Sequence, residues 1–360
     1  MGLGVYPDKK IMEFIRDKII IPKTKIRPKQ IQPSSLDLRL GNEAYCMRCS
    51  AISTSKISKH IQNNKLYKLS LDKKNGSLFH KGCVYLVELN ESLNLPEYIA
   101  AKSNPKSSIG RIDSHVRLIS ENGGIFDEVR ENYNGKLFLE IFSRTFDLIL
   151  REGDSLNQIR FKDSYSNQLS REEIINLDYM NKEGLFKING DRLDIKKRFL
   201  NNSLTLSANL KKNNLVYVAR ENAPPIDITR KDLPFSEFFN PILLKDSSFI
   251  INQNYFYLIS TNEFFITPID YCAEMIDIDT ITGEYRTHYA GFFDPGFRGE
   301  VVLEIRNIGP PFMIFDGQRI ANIVFFPMRE IPEKVYGDEL KSNYQEQRGI
   351  KASKFFDMTK

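Results

Sequence analysis

A glutamate within an apolar stretch is the residue of this sequence that is best suited to proton transfer. Glu304 has Val302, Leu303 and Ile305 as neighbours, and it follows the turn sequence Asp294-Pro295-Gly296. A carboxylate among apolar residues loses hydration, which raises its pKa and lets it exchange protons near neutral pH. The strand alone would favour a glutamate at an edge that faces solvent, but in the context of the other motifs we expect acid–base chemistry at Glu304.

The segment from Lys106 to Arg111 has the composition of an anion-binding site. Its sequence is Lys106-Ser107-Ser108-Ile109-Gly110-Arg111, with a cation at each end and two hydroxyls and a glycine between them. Hydroxyls, backbone N–H groups and a guanidinium fork can together bind the oxygens of a polyphosphate. Serines beside basic residues are also common on surface turns, so the motif indicates a phosphate site only together with other features.

The C-terminal region contains a polar segment that could close over a ligand. It runs Tyr344-Gln345-Glu346-Gln347-Arg348-Gly349, with Tyr336 before it. Such a segment either folds over a bound molecule and excludes water or ends the chain as a frayed terminus. The sequence leaves both interpretations open.

These candidate segments belong to two related halves of the chain. Tyr85-Leu86-Val87-Glu88-Leu89-Asn90-Glu91, followed by Pro96, recurs as Tyr257-Leu258-Ile259-Ser260-Thr261-Asn262-Glu263, followed by Pro268 at the same spacing. Farther along, residues 135–140 match residues 299–304, and residues 153–161 match residues 317–325. A weaker match joins residues 34–40 to residues 202–208. Ordered matches with consistent gaps favour duplication over a chance similarity of short strands.

The pattern within each half predicts a mainly β fold. Apolar alternation such as Phe138-Leu139-Glu140-Ile141-Phe142 indicates strands, and Gly, Pro, Asn and Asp separate them. Short helices are expected at residues 10–19 and 170–177. Many short strands at regular spacing imply barrels or sandwiches. We predict a first domain at residues 1–170, a connecting segment at 171–200 and a second domain at 201–360.

Composition fits a folded protein and excludes few functions. The 360 residues are 41% hydrophobic and 27% charged, with a formal net charge of +5. The basic residues are scattered rather than gathered into the stripe typical of nucleic-acid binders. No apolar run approaches the ~18 residues that would span a bilayer, and the N-terminus lacks the apolar core of a signal peptide. We therefore expect a cytoplasmic protein that binds neither nucleic acid nor membrane, with its four cysteines reduced.

Taken together, these motifs resemble those of the dCTP deaminase and dUTPase superfamily over most of the chain. Residues 31–41, Ile-Gln-Pro-Ser-Ser-Leu-Asp-Leu-Arg-Leu-Gly, resemble its N-terminal strand, residues 106–111 its phosphate motif, and residues 294–304 its base pocket and catalytic strand. The Asp-Pro-Gly-Phe…Leu-Glu element is the most specific of these. The resemblance, greatest to two-domain dCTP deaminases, implies tandem dUTPase-like β-barrels of the β-clip type. It also implies zinc-free hydrolysis of dCTP to ammonia and dUTP, which feeds dUMP and dTTP synthesis.

The resemblance further implies which residues bind the substrate. Glu304 would be the general base and proton shuttle, and Phe297 would pack on the sugar edge and select deoxyribose. The other implied substrate-binding residues are Lys106, Ser107, Ser108, Ile109, Gly110, Arg111, Ala290, Asp294, Val302, Leu303, Tyr336, Asn343 and Gln347. Asn343 stands where single-domain relatives tend to have lysine, and Lys106 where arginine is common, so phosphate contacts could be distributed differently. No residue is assigned to a metal, and Mg²⁺ is expected only as a companion of the triphosphate.

The two halves depart from the family pattern in complementary ways. Where the second half should carry a phosphate motif it has Thr280-Ile281-Thr282-Gly283. The first half replaces the Asp-Pro-Gly turn by Asp127-Glu128-Val129-Arg130 with three extra residues. We therefore expect one composite site per chain, with the phosphate motif from the first half and the base pocket from the second. Glu140, which aligns with Glu304, would then be a relic without a pocket.

Zinc-dependent deamination is the main alternative chemistry. Nucleobase deaminases of that kind hold zinc with a His-x-Glu and a Pro-Cys-x-x-Cys sequence. The Cys-x-x-Cys of this chain, Cys46 to Cys49, has no preceding proline. An x-Glu pair follows none of the four histidines, which are His60, His80, His115 and His288. We therefore expect no zinc and interpret the cysteines as structural.

Other activities and assemblies stay open at the level of sequence. A bifunctional enzyme would carry dUTP on to dUMP and diphosphate, with Asp294 helping to activate water at the α-phosphate. A non-catalytic nucleotide-binding member of the fold is a second alternative, because fold does not dictate function. The resemblance favours a homotrimer, although duplicated relatives can complete their contacts with fewer chains. Feedback inhibition by dTTP is a further possibility that the sequence does not decide.

Overall fold

The structure, a computed structural model, describes residues 3–52, 55–212, 214–276, 285–286 and 290–360. Helices are few and short in this part of the chain: α1 Asp8–Arg16, α2 Ile57–Asn64, α3 Ser107–Gly110 and α4 Arg171–Met180. The two predicted helices correspond to α1 and α4, whereas α2 and α3 were not predicted. Among the described residues, no helix combines the length and the apolar character that crossing a bilayer requires.

Twelve strands form the first half. They are β1 Ile20–Pro22, β2 Leu36–Leu38, β3 Leu40–Met47, β4 Lys65–Ser70, β5 Ser77–Phe79, β6 Val84–Asn94, β7 Ile99–Pro105, β8 Ser114–Ser120, β9 Glu128–Val129, β10 Asn134–Ser143, β11 Leu148–Leu150 and β12 Asn157–Asp163. One sheet has the order β4-β3-β6-β10-β8, with β1 also paired to β6, and a second has the order β2-β12-β7-β9. Strands β5 and β11 belong to a third, smaller sheet, which a parallel strand of the second half, residues 226–227, extends beside β11.

The second half contributes the remaining strands of the described chain. They are β13 Phe186–Ile188, β14 Asp191–Arg192, β15 Phe199–Leu200, β16 Ser203–Ser207, β17 Leu215–Ala219, β18 Ile226–Asp227, β19 Leu233–Pro234, β20 Phe239–Leu243, β21 Ser248–Ile251, β22 Phe256–Ile266, β23 Tyr271–Ile276, β24 Tyr285–Arg286, β25 Phe292–Phe293, β26 Arg298–Asn307, β27 Phe312–Phe315, β28 Arg319–Pro327 and β29 Phe356–Asp357. Its sheets follow the orders β20-β17-β22-β26-β24, β16-β28-β23-β25 and β21-β27.

The sheet orders of the two halves correspond strand by strand, which confirms the predicted fold of tandem β domains.

A pair of buried glutamates repeats the same contact in each half. Glu91 in β6 and Glu263 in β22 are fully buried. Glu91 accepts a hydrogen bond from the Arg39 backbone N–H at 2.8 Å, and Glu263 accepts one from the Ser207 backbone N–H at 2.8 Å. Burial raises the pKa of both carboxyls.

The turn before the long strand has the same length in both halves. Strands β9 and β25 pair with the equivalent strands β7 and β23, and β10 and β26 follow after turns of four residues. Arg130, rather than Asp127, therefore occupies the position of Asp294, and Asn132 with φ 59° replaces Gly296 with φ 86°. The prediction of three extra residues in the first half is wrong, because Asp127 precedes β9 and the turn begins only after β9, at Arg130.

Apolar side chains form two large cores, and the first of them is built by both halves. Phe146 of the first half packs on Phe238 and Phe239 of the second, with ring centroids 5.8 and 5.7 Å apart. Phe356 of β29 contacts Phe238 at 4.9 Å, and β29 pairs in parallel with β19. The C-terminal strand is thus anchored in the first core.

The segment predicted as a connection packs on the second core. Its helix α4 begins at a capping box, in which the Ser170 hydroxyl accepts from the Glu173 N–H at 3.3 Å and the Glu173 carboxylate accepts from the Ser170 N–H at 2.7 Å. Ile174, Leu185 and Phe186 are fully buried in that core, and β13 pairs with β22. The segment therefore continues the second sheet instead of crossing solvent.

Candidate active site

A cavity of about 630 Å³ is lined by residues of both halves. This size is typical of small-molecule sites. The predicted site residues that line it are Lys106, Ser107, Ser108, Ile109, Arg111, Ala290, Asp294, Phe297, Val302, Glu304, Tyr336, Asn343 and Gln347. The fold therefore brings the phosphate motif of the first half and the predicted base pocket of the second half to one place within a single chain.

Strand β26 presents alternate side chains to the cavity and to the second core. Val302 and Glu304 line the cavity, whereas Leu303 is fully buried in the second core. Successive side chains of a strand point to opposite faces of the sheet. The side chain of Leu303, a predicted substrate-binding residue, therefore points away from the cavity, and the role of Leu303 in substrate binding stays a prediction.

The carboxylate of Glu304 lies against the turn that carries the phosphate motif. Its side chain is only 2% exposed, and Oε2 accepts a hydrogen bond from the Ala290 N–H at 3.1 Å. Gly110 does not line the cavity, but a Cβ at this position would lie under 3.0 Å from all three atoms of the Glu304 carboxylate. Real Cβ atoms do not approach other atoms so closely, so a side chain at position 110 would displace the Glu304 carboxylate.

The phosphate motif is held in place by the C-terminal region. The Ser108 hydroxyl lies 2.7 Å from the Tyr344 hydroxyl. Arg111 lies over the Tyr344 ring at 3.8 Å, and its NH1 donates to the Lys351 carbonyl at 2.6 Å and to the Gln347 Oε1 at 3.3 Å. The Nε of Arg111 is buried without a hydrogen-bond partner among the described residues, so this donor is available to a ligand.

The polar segment near the C-terminus is docked along β26. The Glu346 N–H donates to the Arg298 carbonyl at 2.8 Å, and the Glu300 N–H donates to the Gln347 carbonyl at 3.0 Å. Tyr344 is buried in the second core. Of the two interpretations that the sequence allowed, the structure therefore has the segment folded over the cavity rather than frayed.

The cavity has a strong excess of basic residues. Its cations are Arg27, Lys29, Arg39, Lys106, Arg111, Lys231, Lys341 and Lys354, and its acids are Asp37, Asp154, Asp294 and Glu304. Two of the cations are already paired, because Lys106 forms an ion pair with Asp37 and Arg39 forms one with the buried Glu91 at 2.7 Å. The remaining positive charge favours a polyanionic ligand.

Asp294 is fixed by two residues of the first half that the sequence did not single out. The Ser34 hydroxyl donates to Asp294 Oδ1 at 2.5 Å. Arg160, 2% exposed, donates to the Phe293 carbonyl at 2.8 Å, to the Ser34 hydroxyl at 3.1 Å and to Asp294 Oδ1 at 3.4 Å. The Arg160 guanidinium also lies 4.1 Å from the centre of the Phe292 ring. Arg160 thus positions the turn that carries Asp294.

A third residue that the sequence analysis missed is Lys354, which lines the cavity from the C-terminal region. Burial and the positive charge of Lys106 lower its pKa to about 8, against the opposing effect of Asp37. No sequence motif surrounds it, and only the docking of β29 brings it to the cavity. The predicted site residue Asn343 also lines the cavity, but it carries no charge.

Glu140 lies outside the cavity. It is 7% exposed, accepts a hydrogen bond from the Ser50 hydroxyl at 2.8 Å, and its pKa is raised by burial. The residues beside it form what we call the α2 cluster, which consists of Met47, Ile57, Ile61, Leu86, Ile119 and Phe138. Phe126 packs against this cluster. Phe126 and Phe138 occupy the positions of Ala290 and Val302, so bulky rings and a helix fill the space that is open in the second half.

The cysteines of the predicted structural Cys-x-x-Cys differ in environment, because Cys46 is buried and Cys49 is exposed. Within residues 3–52, 55–212, 214–276 and 290–360, no group of three or more His, Cys, Asp and Glu side chains is placed to hold a metal ion. The segment Thr280-Ile281-Thr282-Gly283 and His288 lie outside the described residues.

Two family models together match most of the chain. The N-terminal domain model of 2'-deoxycytidine 5'-triphosphate deaminase matches residues 2–165, and the C-terminal domain model matches residues 178–356. A crystal structure of 2'-deoxycytidine 5'-triphosphate deaminase from Agrobacterium tumefaciens is similar over 92% of this chain and 100% of that chain, with a TM-score of 0.85 and 32% sequence identity.

Curated relatives match a smaller part of the chain. A protein named "dCTP deaminase, dUMP-forming" from Leifsonia xyli subsp. xyli is 36% identical over 118 residues, which are 32% of this chain and 59% of that protein. A protein of the same name from Halobacterium salinarum is 33% identical over 139 residues, 38% of this chain and 71% of that protein. The chain thus spans about six tenths to seven tenths of the length of these relatives.

Proposed function

The chain belongs to the 2'-deoxycytidine 5'-triphosphate deaminase family, and on that premise we propose that it hydrolyses dCTP to dUTP and ammonia. One observation carries the proposal: a buried carboxylate, Glu304, meets a phosphate motif inside a cation-rich cavity. The carboxylate supplies acid–base chemistry and the cations bind a triphosphate. Val302, which has a small side chain, lines the cavity and leaves room for a pyrimidine ring between the carboxylate and the cations.

Glu304 moves all the protons of the reaction. It accepts one proton from a water molecule whose oxygen bonds to C4 of cytosine, and it delivers that proton to N3. The resulting intermediate carries a hydroxyl and an amino group on C4. Glu304 then transfers the hydroxyl proton to the amine, the C4–N bond breaks, and ammonia leaves as the C4 carbonyl forms. The Ala290 N–H, which donates to Oε2, holds the carboxylate in one orientation throughout.

The other residues bind and orient the nucleotide. Phe297, 5% exposed and packed beside Phe293 and Tyr336, supplies a rigid wall for the deoxyribose. The Nε of Arg111 and the hydroxyls of Ser107 and Ser108 donate to phosphate oxygens. Mg²⁺ enters with the triphosphate as part of the substrate.

The proposal is tested by supplying dCTP to the purified protein and measuring ammonia and dUTP. Stoichiometric release of both supports it, and dCTP binding without ammonia would favour the non-catalytic alternative. The same assay in the presence of a zinc chelator tests the expectation that zinc is not required. Unchanged turnover is expected, because the proton shuttle is Glu304 rather than a metal-bound hydroxide.

A second candidate activity is supported by the names of the curated relatives. Proteins named "dCTP deaminase, dUMP-forming" are similar to this chain, and in a bifunctional enzyme Asp294 would help to activate water at the α-phosphate. Asp294 lines the cavity and is oriented by Ser34 and Arg160. Diphosphate and dUMP among the products would favour this activity, whereas accumulation of dUTP would favour deamination alone.

The cellular context and the assembly belong to the same proposal. A cytoplasmic homotrimer with feedback inhibition by dTTP would fit a role in pyrimidine deoxyribonucleotide synthesis. Light scattering measures the number of chains, and addition of dTTP to the ammonia assay tests the inhibition. The domain boundaries at residues 1–170, 171–200 and 201–360 also stay a prediction, which limited proteolysis can check.

A further inference from the structure

The cavity contains a lysine that belongs to neither the phosphate motif nor the proton shuttle. We propose that Lys354 is a further substrate-binding residue, which binds the outer phosphates of the triphosphate and so makes the site select triphosphates over nucleotides with fewer phosphates. The inference rests on the proposed function, because it adds a residue to the same site. Three features of the structure support it: a fixed backbone, a suitable location and an unbalanced charge.

The backbone on both sides of Lys354 is fixed before any ligand binds. The Ser353 hydroxyl donates to the Ser108 carbonyl at 2.8 Å, and the Lys354 N–H donates to the Tyr344 hydroxyl at 3.2 Å. Phe355 and Phe356 follow and are buried in the first core. Because the backbone is already fixed, only the side chain of Lys354 has to be ordered by the ligand, which lowers the entropic cost of binding.

Lys354 lies beside the phosphate motif. Lys106 of this motif and its partner Asp37 are among the charges that act on Lys354. The preceding residue, Ser353, bonds to Ser108 of the same motif. A nucleotide whose phosphates bind the motif therefore brings them close to Lys354.

The charge of Lys354 is not balanced in the free protein. Asp37, the acid that faces it, is already paired with Lys106, and Lys106, Lys231 and Lys29 all oppose its ammonium charge. These cations, with burial as the largest cause, lower the pKa of Lys354 to about 8. A bound polyphosphate reverses this effect and raises the pKa. Binding at alkaline pH must therefore take up protons.

Calorimetry with two probes separates this inference from the proposed reaction. Inorganic tripolyphosphate is titrated into the wild-type protein, and dCTP into a Glu304→Gln variant, in buffers of different ionisation enthalpy between pH 7 and pH 9. We expect net proton uptake near pH 8.5 and an affinity that falls toward pH 9. Lys354→Arg should abolish the uptake and keep the affinity constant with pH, because arginine stays charged.

Removal of the cation gives the second measurement. Lys354→Met should weaken both probes about tenfold or more at pH 7, the range for a lost charge-assisted hydrogen bond, and should weaken dCMP much less. Lys360→Met is the matched control, since Lys360 is an exposed lysine of the same segment that pairs with Asp357 at 3.2 Å outside the cavity.

The outcomes are distinct. Wild-type proton uptake that persists in Lys354→Arg, or equal affinities of Lys354→Met and Lys360→Met, would overturn the role of Lys354. A Lys354-dependent affinity for both probes in a protein that releases no ammonia would support that role while the proposed deamination fails. The comparison of proton uptake between wild type and Lys354→Arg keeps a cation at this position, so it decides even if Lys354→Met folds poorly.

Discussion

The two halves share one framework but differ sharply around their equivalent glutamates. Glu304 faces an open cavity next to Gly110, whereas Glu140 lies beside the α2 cluster and bonds to Ser50. The framework itself is unchanged, as the matching bonds of Glu91 and Glu263 show. After duplication, stability therefore required both copies to keep their sheets, but chemistry required only one open pocket.

The divergence extends to side chains that one half provides for the other. Arg160 in β12 holds the turn of Asp294, while the equivalent residue of β28 is Val324, which is buried with no such task. The two halves have thus specialised: the first positions the turn that carries Asp294, and the second carries the pocket itself. Substitutions at paired positions can measure this division directly.

The largest expected difference is between the two glutamates. Glu304→Gln should lower the rate of ammonia release by about 10²- to 10⁴-fold, the usual contribution of acid–base catalysis. Glu140→Gln should leave the rate unchanged, because this carboxyl does not reach the cavity. Steady-state kinetics of both variants tests the assignment, and equal losses would contradict a single active copy.

Gly110 tests whether the contact between the halves sets the position of the carboxylate. Gly110→Ala should reduce kcat by about 10²-fold, the effect of displacing a reacting group by roughly 1 Å, because its Cβ would overlap the Glu304 carboxylate. Thermal unfolding monitors the fold in parallel.

A shorter acid provides the control for this prediction. Glu304→Asp withdraws the carboxylate from Gly110, so the double variant should lose less than the product of the two single losses. Strictly additive losses, or wild-type kcat in Gly110→Ala, would show that the contact does not matter for turnover.

Arg160 and its counterpart Val324 test the division of labour. Arg160→Lys keeps the charge but loses the fork that reaches both Ser34 and Phe293, so kcat should fall about tenfold, with a smaller change in KM. Val324→Ala should destabilise the protein by about 1–3 kcal/mol through a cavity and leave kcat unchanged. A loss of stability without a loss of kcat in Arg160→Lys would make Arg160 merely structural.

The smallest expected effect concerns Asp154, whose counterpart is Gln318. Both cap the same turn, since Asp154 accepts from the Arg151 N–H at 2.8 Å and Gln318 from the Phe315 N–H at 3.0 Å. Only Asp154 lines the cavity. Asp154→Gln should preserve the turn and remove a negative charge, so KM for dCTP at pH 7.5 should fall by about threefold.

The pH dependence provides the check on this variant. Burial raises the pKa of Asp154 from 3.8 to about 6. Its proton therefore stabilises the folded state below about pH 4, and this stabilisation is lost as pH rises through 6. Wild type and Asp154→Gln should have similar KM values at pH 5, and their KM values should differ above pH 6. A ratio of the two KM values that is the same at every pH would show that the charge of Asp154 does not affect substrate binding.

Local sequence was sufficient for the parts of the site that lie on one element. The Asp294 turn and Glu304 follow each other on β25 and β26, and the Lys106 to Arg111 motif is continuous, so their residue types could be recognised. The correspondence between the two halves was also foreseeable from the repeated segments. The orientation of Leu303 was foreseeable too, because Val302 and Glu304 on either side of it face the cavity and the side chains of a strand alternate.

The remaining residues could not be predicted, because their partners are distant in sequence. Arg160 lies in an ordinary strand pattern, and only the fold brings it to Ser34 and Asp294. Lys354 reaches the cavity because β29 pairs with β19. The α2 cluster likewise depends on contacts between α2 and four separate strands, β3, β6, β8 and β10.

The shared aromatic core constrains how the chain can be made. Phe146 packs on Phe238 and Phe239, and Phe238 in turn packs on Phe356. During synthesis the first half therefore keeps an apolar surface uncovered until residues 238, 239 and 356 have been made. The first half expressed alone would therefore be prone to aggregation, and the nascent chain would be a substrate for chaperones.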